Sequence, residues 1–394
     1  MAYRKLKGDK IFTGTQLLQD QVLVIASNGS IIDLISVEDA GSDLETLDGW
    51  LCPGFINAHC HLELSHMKGL APRQSGMTDF LLTVLLRRQA TDEQKQQAML
   101  EAIHSIQQNG IVAVGDISNT ADSVAVKANQ QNIRFHNFIE ISGFVPASAA
   151  TRLAQGLDVS RQFSSFFPAE KISITPHATY SVSEKLFGQI SHQSPAIISI
   201  HNQESPAEED FIRNGSGELH RLFAAIGVNI DFFEPKHKSS LQYLLPMLPK
   251  SAQCILVHNC HTTEDDISQL KKALAEQTNN CFFCVCPNAN LYIGNPLPDM
   301  GLLYKSDIPI CVGTDSLSNN DELNILAELQ TLQTNFPWLT TDILLQWATL
   351  NGARALKMDS SLGSFEKGKQ PGVLLLQDIS ESQNLSGCSL LRIA

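Results

Sequence analysis

The sequence predicts an α/β protein: a (β/α)8 TIM barrel with a small β-sandwich domain formed by its N- and C-terminal segments. Three observations carry that prediction. Eight short, apolar, β-rich runs alternate with longer helical stretches, the texture of βα units and a parallel sheet. Polar titratable residues stand at the ends of several of those runs. The Gly-rich phosphate loop usual in an open doubly wound sheet is missing, since neither G-x-G-x-x-G nor G-K-[ST] occurs.

Taken in order, residues 10–14, 21–25 and 31–35 read as strands. Asn28-Gly29 marks a hairpin turn between the second and third, so a small antiparallel sheet is expected at the start. The eight barrel strands are expected at 51–57, 111–116, 135–141, 172–177, 196–201, 253–258, 280–286 and 309–315. Helices are expected between them at 78–88, 93–108, 208–225, 263–276 and 321–334. After a further helix at 342–356, short strands at 363–368 and 372–376 are expected to pair with the N-terminal sheet. The domains are therefore 1–50 with 359–394 for the small β domain, and 51–358 for the barrel.

The bulk properties narrow the function. The chain has 394 residues, a net charge of −13 and 18% charged residues. An acidic surface argues against nucleic acid or an anionic membrane as partner and leaves a small-molecule substrate. Residues 1–8 are basic without an apolar core, so no signal peptide is expected, and no apolar run reaches membrane-spanning length. The nine cysteines, an odd number mostly inside apolar segments, suit reduced thiols in a cytoplasm.

The run Pro53-Gly54-Phe55-Ile56-Asn57-Ala58-His59-Cys60-His61 is the most informative. Side chains two apart on a strand share a face, so His59 and His61 can reach one metal ion. His177, His201, His258 and Asp315 close the fourth, fifth, sixth and eighth expected strands, and Glu204 follows His201 by three residues. In a (β/α)8 barrel the active site lies at that end of the strands. The simplest assignment puts one divalent metal, Zn or Fe, on His59, His61, His201 and Asp315, with a fifth position for an acidified water. Asp315 accepts the water's proton, Glu204 protonates the ring nitrogen next to the attacked carbon, and His258 hydrogen-bonds the attacking or developing oxygen. His66, His104, His136, His192, His220 and His237 are expected in surface or packing roles. His61-Leu62-Glu63 with Cys281-x-x-Cys284 imitates the zinc nucleobase deaminase pattern, but Asn280 stands where that pattern has proline, so core packing is the reading for these cysteines.

With these motifs in view, the chain resembles the amidohydrolase superfamily over nearly its whole length. The resemblance rests on Pro-Gly-Phe-x-Asn-x-His-x-His, His201-x-x-Glu204, Gly313-Thr314-Asp315-Ser316, Cys286-Pro287-Asn288-Ala289-Asn290 and Asn351-Gly352-Ala353. It is nearest the mononuclear deaminase branch, because Pro176-His177-Ala178 stands where binuclear members commonly carry a carboxylated lysine. The resemblance implies a substrate contact for His177, and a homodimer as the family expectation. The glutamate that binds ribose hydroxyls in S-adenosylhomocysteine deaminases has no obvious equivalent within residues 77–88. His59-x-His61-Leu62-Glu63-Leu64-Ser65 is similar to the form found in aminodeoxyfutalosine deaminases, which act on a nucleoside bearing a carboxyphenyl group. That likeness implies a substrate-side role for Glu63, and Arg73, Arg87 or Arg88 as partner of a carboxylate. The reading is a zinc-dependent aminohydrolase of a purine-like ring; the alternatives are a triazine-type chlorohydrolase or a catalytically silent scaffold.

Overall fold

The computed structural model describes residues 3–275, 280–380 and 383–394. The last residue of the helix expected at 263–276 lies outside them, as do the first two of the basic N-terminal segment.

Two four-stranded parallel sheets form the centre. One comprises Phe55–Cys60, Ile111–Ser118, Arg134–Ile141 and Ile172–Pro176, the other Ile197–Asn202, Gln253–His258, Cys281–Val285 and Ile310–Val312. Parallel bridges join both edges of one sheet to the other, Cys60 to Asp315 and Ala178 to His201. Most of these strands are buried at every residue, which is why they read as continuous apolar runs rather than alternating ones. The helices pack outside. Asp92–Gln108, for example, starts with a capping box of Thr91 and Gln94.

The strand expected at 51–57 is two strands. Trp50–Pro53 pairs antiparallel with Val373–Gln377 and parallel with Lys10–Phe12, so it belongs to the terminal sheet. Gly54 separates it from Phe55–Cys60. A Cβ there would stand 2.4 Å from Val112 Cγ1 and 2.6 Å from the Pro371 carbonyl, so only glycine fits where the chain changes sheets. That terminal sheet, completed by Leu17–Leu18 and Ser389–Arg392, shares a hydrophobic cluster with a second sheet of Tyr3–Lys7, Gln21–Ala26, Ile31–Ser36 and Glu45–Thr46. Leu6, Leu23 and Ile25 meet Leu51, Val373 and Leu375 there.

Three further expectations are corrected. Residues 208–225 form two helices, Pro206–Asn214 and Leu219–Ala225, because Gly215 at φ 64° caps the first with a left-handed turn. The helix expected at 321–334 begins at Ile325, where Asn324 supplies the cap. Residues 363–368 form no strand; they turn, and Gly368 N–H then bonds Ile31 O at 2.9 Å. Among the described residues, no helix is long and apolar enough to cross a membrane.

Candidate metal centre and active-site cavity

The first and last strands of the parallel sheets are locked together at the point where the site begins. His59 O accepts the N–H groups of Thr314 and Asp315, both at 3.1 Å. Asn57 Oδ1 accepts Thr314 N–H at 3.1 Å and Asn57 Nδ2 donates to Thr314 Oγ1 at 2.7 Å. A Cβ on Gly313 would stand 2.8 Å from the His59 backbone oxygen, so this approach requires glycine. Asp315 then turns into the site at φ 58°, with Asn319 Nδ2 donating to its Oδ2 at 2.7 Å.

His59, His61, His201 and Asp315 each offer a ligand atom, all within 4.8 Å of one another and all buried. The Nε2 atoms of His59 and His61 face each other at 3.1 Å, and Asp315 Oδ1 lies 3.3 Å from His61 Nε2 and 3.7 Å from His59 Nε2. Burial first, and neighbouring histidines second, lower the pKa of His61 and of His201 to about 3 and push His59 well below the imidazole range. Neutral imidazole lone pairs and a carboxylate converging on one buried point fit a divalent cation.

The surroundings hold these groups in place. His201 Nδ1 donates to His177 O at 3.2 Å and lies 3.5 Å from Glu140 Oε2. Asp116 Oδ1 accepts Leu62 N–H at 2.7 Å, just beyond His61, and Asp116 is ion-paired with the fully buried Lys127. Glu328 accepts Asn288 N–H at 2.9 Å and Asn320 Nδ2 at 2.8 Å, tying the short helix Pro287–Ile293 to the loop after Asp315. Burial, with Asp315 close by, pushes the Glu328 carboxyl up to about 8.

A second group adjoins the first. His258 Nε2 is buried without a hydrogen-bond partner, 3.8 Å from Glu204 Oε1 and 3.8 Å from Asp315 Oδ2. Its Nδ1 donates to Asn290 Oδ1 at 2.8 Å. Burial raises the Glu204 carboxyl above its usual value.

A cavity of about 790 Å3 opens above these residues. His61, His177, His201, Glu204 and Asp315 line its floor. Phe144, Phe223, Leu85, Ile226 and Val228 make an apolar wall, and Arg88 and Arg152 add positive charge. Arg87 is exposed and does not line the cavity. Arg73 pairs with Asp321 at the surface and lies over the Tyr292 ring. Glu63 is buried and does not line it either: Oε2 accepts Asn119 N–H, Thr120 N–H and Thr120 Oγ1, each at 3.1 Å, and Oε1 accepts Arg88 at 3.4 Å. Glu63 therefore braces Arg88 rather than facing a ligand.

Sequence reasoning passed over Glu140, Arg152 and the hold of Asn290 on His258. Glu140 had the available signal, as a polar residue near the end of the apolar run at 135–141. Arg152 lies on Ala149–Ser164, a helix with no motif to single it out. The nine cysteines are all buried and free, in keeping with core packing.

Parallel strands that present His-x-His, a third histidine and an aspartate at their C-terminal ends define a metal-dependent hydrolase. The match to the Amidohydrolase family spans residues 50–385, and the chain belongs to that family. It is 27% identical over 330 residues to an adenosine deaminase of Helicobacter pylori, covering 81% of this chain and 77% of that protein. It is 26% identical over 339 residues to an aminodeoxyfutalosine deaminase of Nitratiruptor sp., covering 83% and 79%. Among solved structures, Helicobacter pylori aminofutalosine deaminase in complex with methylthio-coformycin superposes with a TM-score of 0.81, at 22% identity over 98% of this chain and 95% of that one. A zinc-bound adenosine deaminase of Xanthomonas campestris gives 0.69, at 22% identity over 96% and 85%. These matches lie in the deaminase branch of the family.

Proposed function

We propose that the chain is a hydrolytic deaminase of an adenine nucleoside, working with one divalent metal, zinc in preference to iron, held by His59, His61, His201 and Asp315. The observation that carries the reading is the convergence of Glu204 and Asp315 on the unpartnered His258 Nε2 beside the four-residue cluster. His59, His61, His201 and Asp315 would hold the ion, which would acidify a water and so supply the nucleophile. Asp315 takes the proton that water gives up. Glu204, whose carboxyl burial raises above its usual value, donates a proton to the ring nitrogen adjacent to the attacked carbon. His258 Nε2 hydrogen-bonds the oxygen as the carbon becomes tetrahedral. His177, whose ring lies 4.7 Å from that of His201 on the cavity floor, contacts an edge of the substrate ring. The exocyclic amine leaves as ammonia with the proton Asp315 took from the water, and the hydroxyl proton released as the carbonyl forms returns to Glu204.

The cavity supports a large nucleoside substituent. Its aromatic and aliphatic wall suits an aryl group, and Arg88 and Arg152 suit a carboxylate on it, which favours aminodeoxyfutalosine over unsubstituted adenosine. On this reading the two parallel sheets close into one (β/α)8 barrel over residues 51–358, with 1–50 and 359–394 forming a β-sandwich domain, and the protein works in the cytoplasm, as a homodimer. The test is ammonia release by the zinc-loaded protein from aminodeoxyfutalosine, S-adenosylhomocysteine, adenosine and guanine. Turnover of the carboxylated nucleoside above the others is expected; no ammonia from any of them rejects the proposal.

A further inference from the structure

Behind Glu204 lies a second carboxylate that the proposed reaction does not use. Glu208 is wholly buried, and its side chain accepts the backbone N–H groups of Gln203 at 3.1 Å and Glu204 at 2.9 Å. It also accepts Thr179 Oγ1 at 3.2 Å and Ser240 Oγ. The two backbone N–H groups are donors, one to each carboxyl oxygen, while the Thr179 and Ser240 hydroxyls, 2.6 Å from one another, share the hydrogen bonds at Oε1; burial, with Glu209 close by, pushes this carboxyl up to about 7.

This is more than a helix cap. In a capping box the third helical residue reaches back to the N-cap N–H. Here Ser205 is the N-cap of Pro206–Asn214 and its hydroxyl takes Glu208 N–H at 3.4 Å. The Glu208 side chain passes the N-cap and grips the two residues before it. One of these, Gln203, has φ 49°, a left-handed conformation that a non-glycine residue keeps only when its surroundings hold it. Thr179 lies two residues beyond His177, on the loop after the neighbouring strand. Glu208 thus joins the turn that carries Glu204 to the loop that carries His177.

We infer that Glu208 is a positioning residue for Glu204, holding its turn so that the Glu204 carboxyl stands beside His258 Nε2 and faces the substrate ring. The inference rests on the deaminase reading only in taking Glu204 as the proton donor. Replacing Glu208 by glutamine keeps the shape but sets an NH2 group against one of the two backbone N–H groups that the carboxyl oxygens now accept.

For Glu208→Gln, kcat is expected to fall about 10²-fold, the scale of a lost general acid, with KM unchanged. The double variant with Glu204→Gln should be no slower than Glu204→Gln alone, because both changes remove the same proton transfer. Losses that multiply would overturn the inference and leave Glu208 as a structural cap. Should Glu208→Gln fold poorly, Ser240→Ala loosens the same carboxylate, and its smaller kcat loss should likewise vanish in the Glu204→Gln background. A crystal structure of Glu208→Gln needs no substrate: a Glu204 carboxyl displaced from His258 supports the inference, and an unmoved one overturns it. Absence of ammonia from every nucleoside would reject the deaminase reading, and this structural readout would still decide the role of Glu208.

Discussion

Asn290 Oδ1 accepts the Nδ1–H of His258 at 2.8 Å, and that bond decides which nitrogen of the ring meets the site. With Nδ1 engaged there, Nε2 is left without a partner between Glu204 and Asp315. Outer partners of this kind commonly carry 10–100-fold in activity. Asn290→Ala is therefore expected to lower kcat about tenfold or more while bound metal stays stoichiometric, checked by steady-state kinetics beside elemental analysis. A variant that loses metal instead would place Asn290 in support of the metal cluster.

Metal dependence gives a second expectation. Chelation should abolish turnover and added Zn2+ should restore it. His61→Ala should purify with far less metal than the wild type, because it removes one of four converging ligand atoms. Metal content read by mass spectrometry checks this without any substrate.

The cavity arginines predict specificity. Arg88→Ala and Arg152→Ala should each raise KM for a carboxylated nucleoside about tenfold, a loss in the range of a charge-assisted hydrogen bond, and leave KM for adenosine unchanged. Glu63→Gln should reproduce part of the Arg88 effect, since Glu63 braces that guanidinium. Equal losses on both nucleosides would remove the carboxylate from the argument.

Glu328 links stability to pH. Its carboxyl titrates near 8 in the folded protein, against about 4.3 in an unfolded chain. Between those values the folded state holds a proton that the unfolded state has lost, so stability falls as pH rises through that window. Glu328→Gln, which cannot ionise, should lose less stability than the wild type between pH 5 and pH 8 on this scale, measured by urea unfolding at each pH. Parallel pH curves for the two proteins would show that Glu328 stays ionised.

Much of the site was legible because its chemistry sits at strand ends. An apolar run that stops at a histidine or an aspartate is visible in one dimension, and His59, His61, His201, His258 and Asp315 all share that signature. What the sequence hid was contact across the fold. The break at Gly54 depends on Val112 and Pro371, the bond from Asn290 to His258 runs from a helix to a strand end 32 residues earlier, and Arg152 reaches the cavity from a helix whose pattern is ordinary. Arg87 and Arg88 are neighbours in sequence, yet helical geometry turns one outward and the other inward. The false strand at 363–368 is a run of turns whose bonding partner, Ile31, lies in the N-terminal segment.

The pairing of Trp50–Pro53 with Val373–Gln377 sets the order of assembly. Lys10–Phe12, Leu17–Leu18 and the central strand Trp50–Pro53 are made early, but one edge of Trp50–Pro53 lacks its partner until residue 377 has left the ribosome. The first strands must wait through nearly the whole of synthesis with an unpaired edge, the condition in which chaperones are recruited and nascent chains stick to one another. Removing residues 373–377 would therefore be felt first as a failure to accumulate soluble protein, well before any question of catalysis arose.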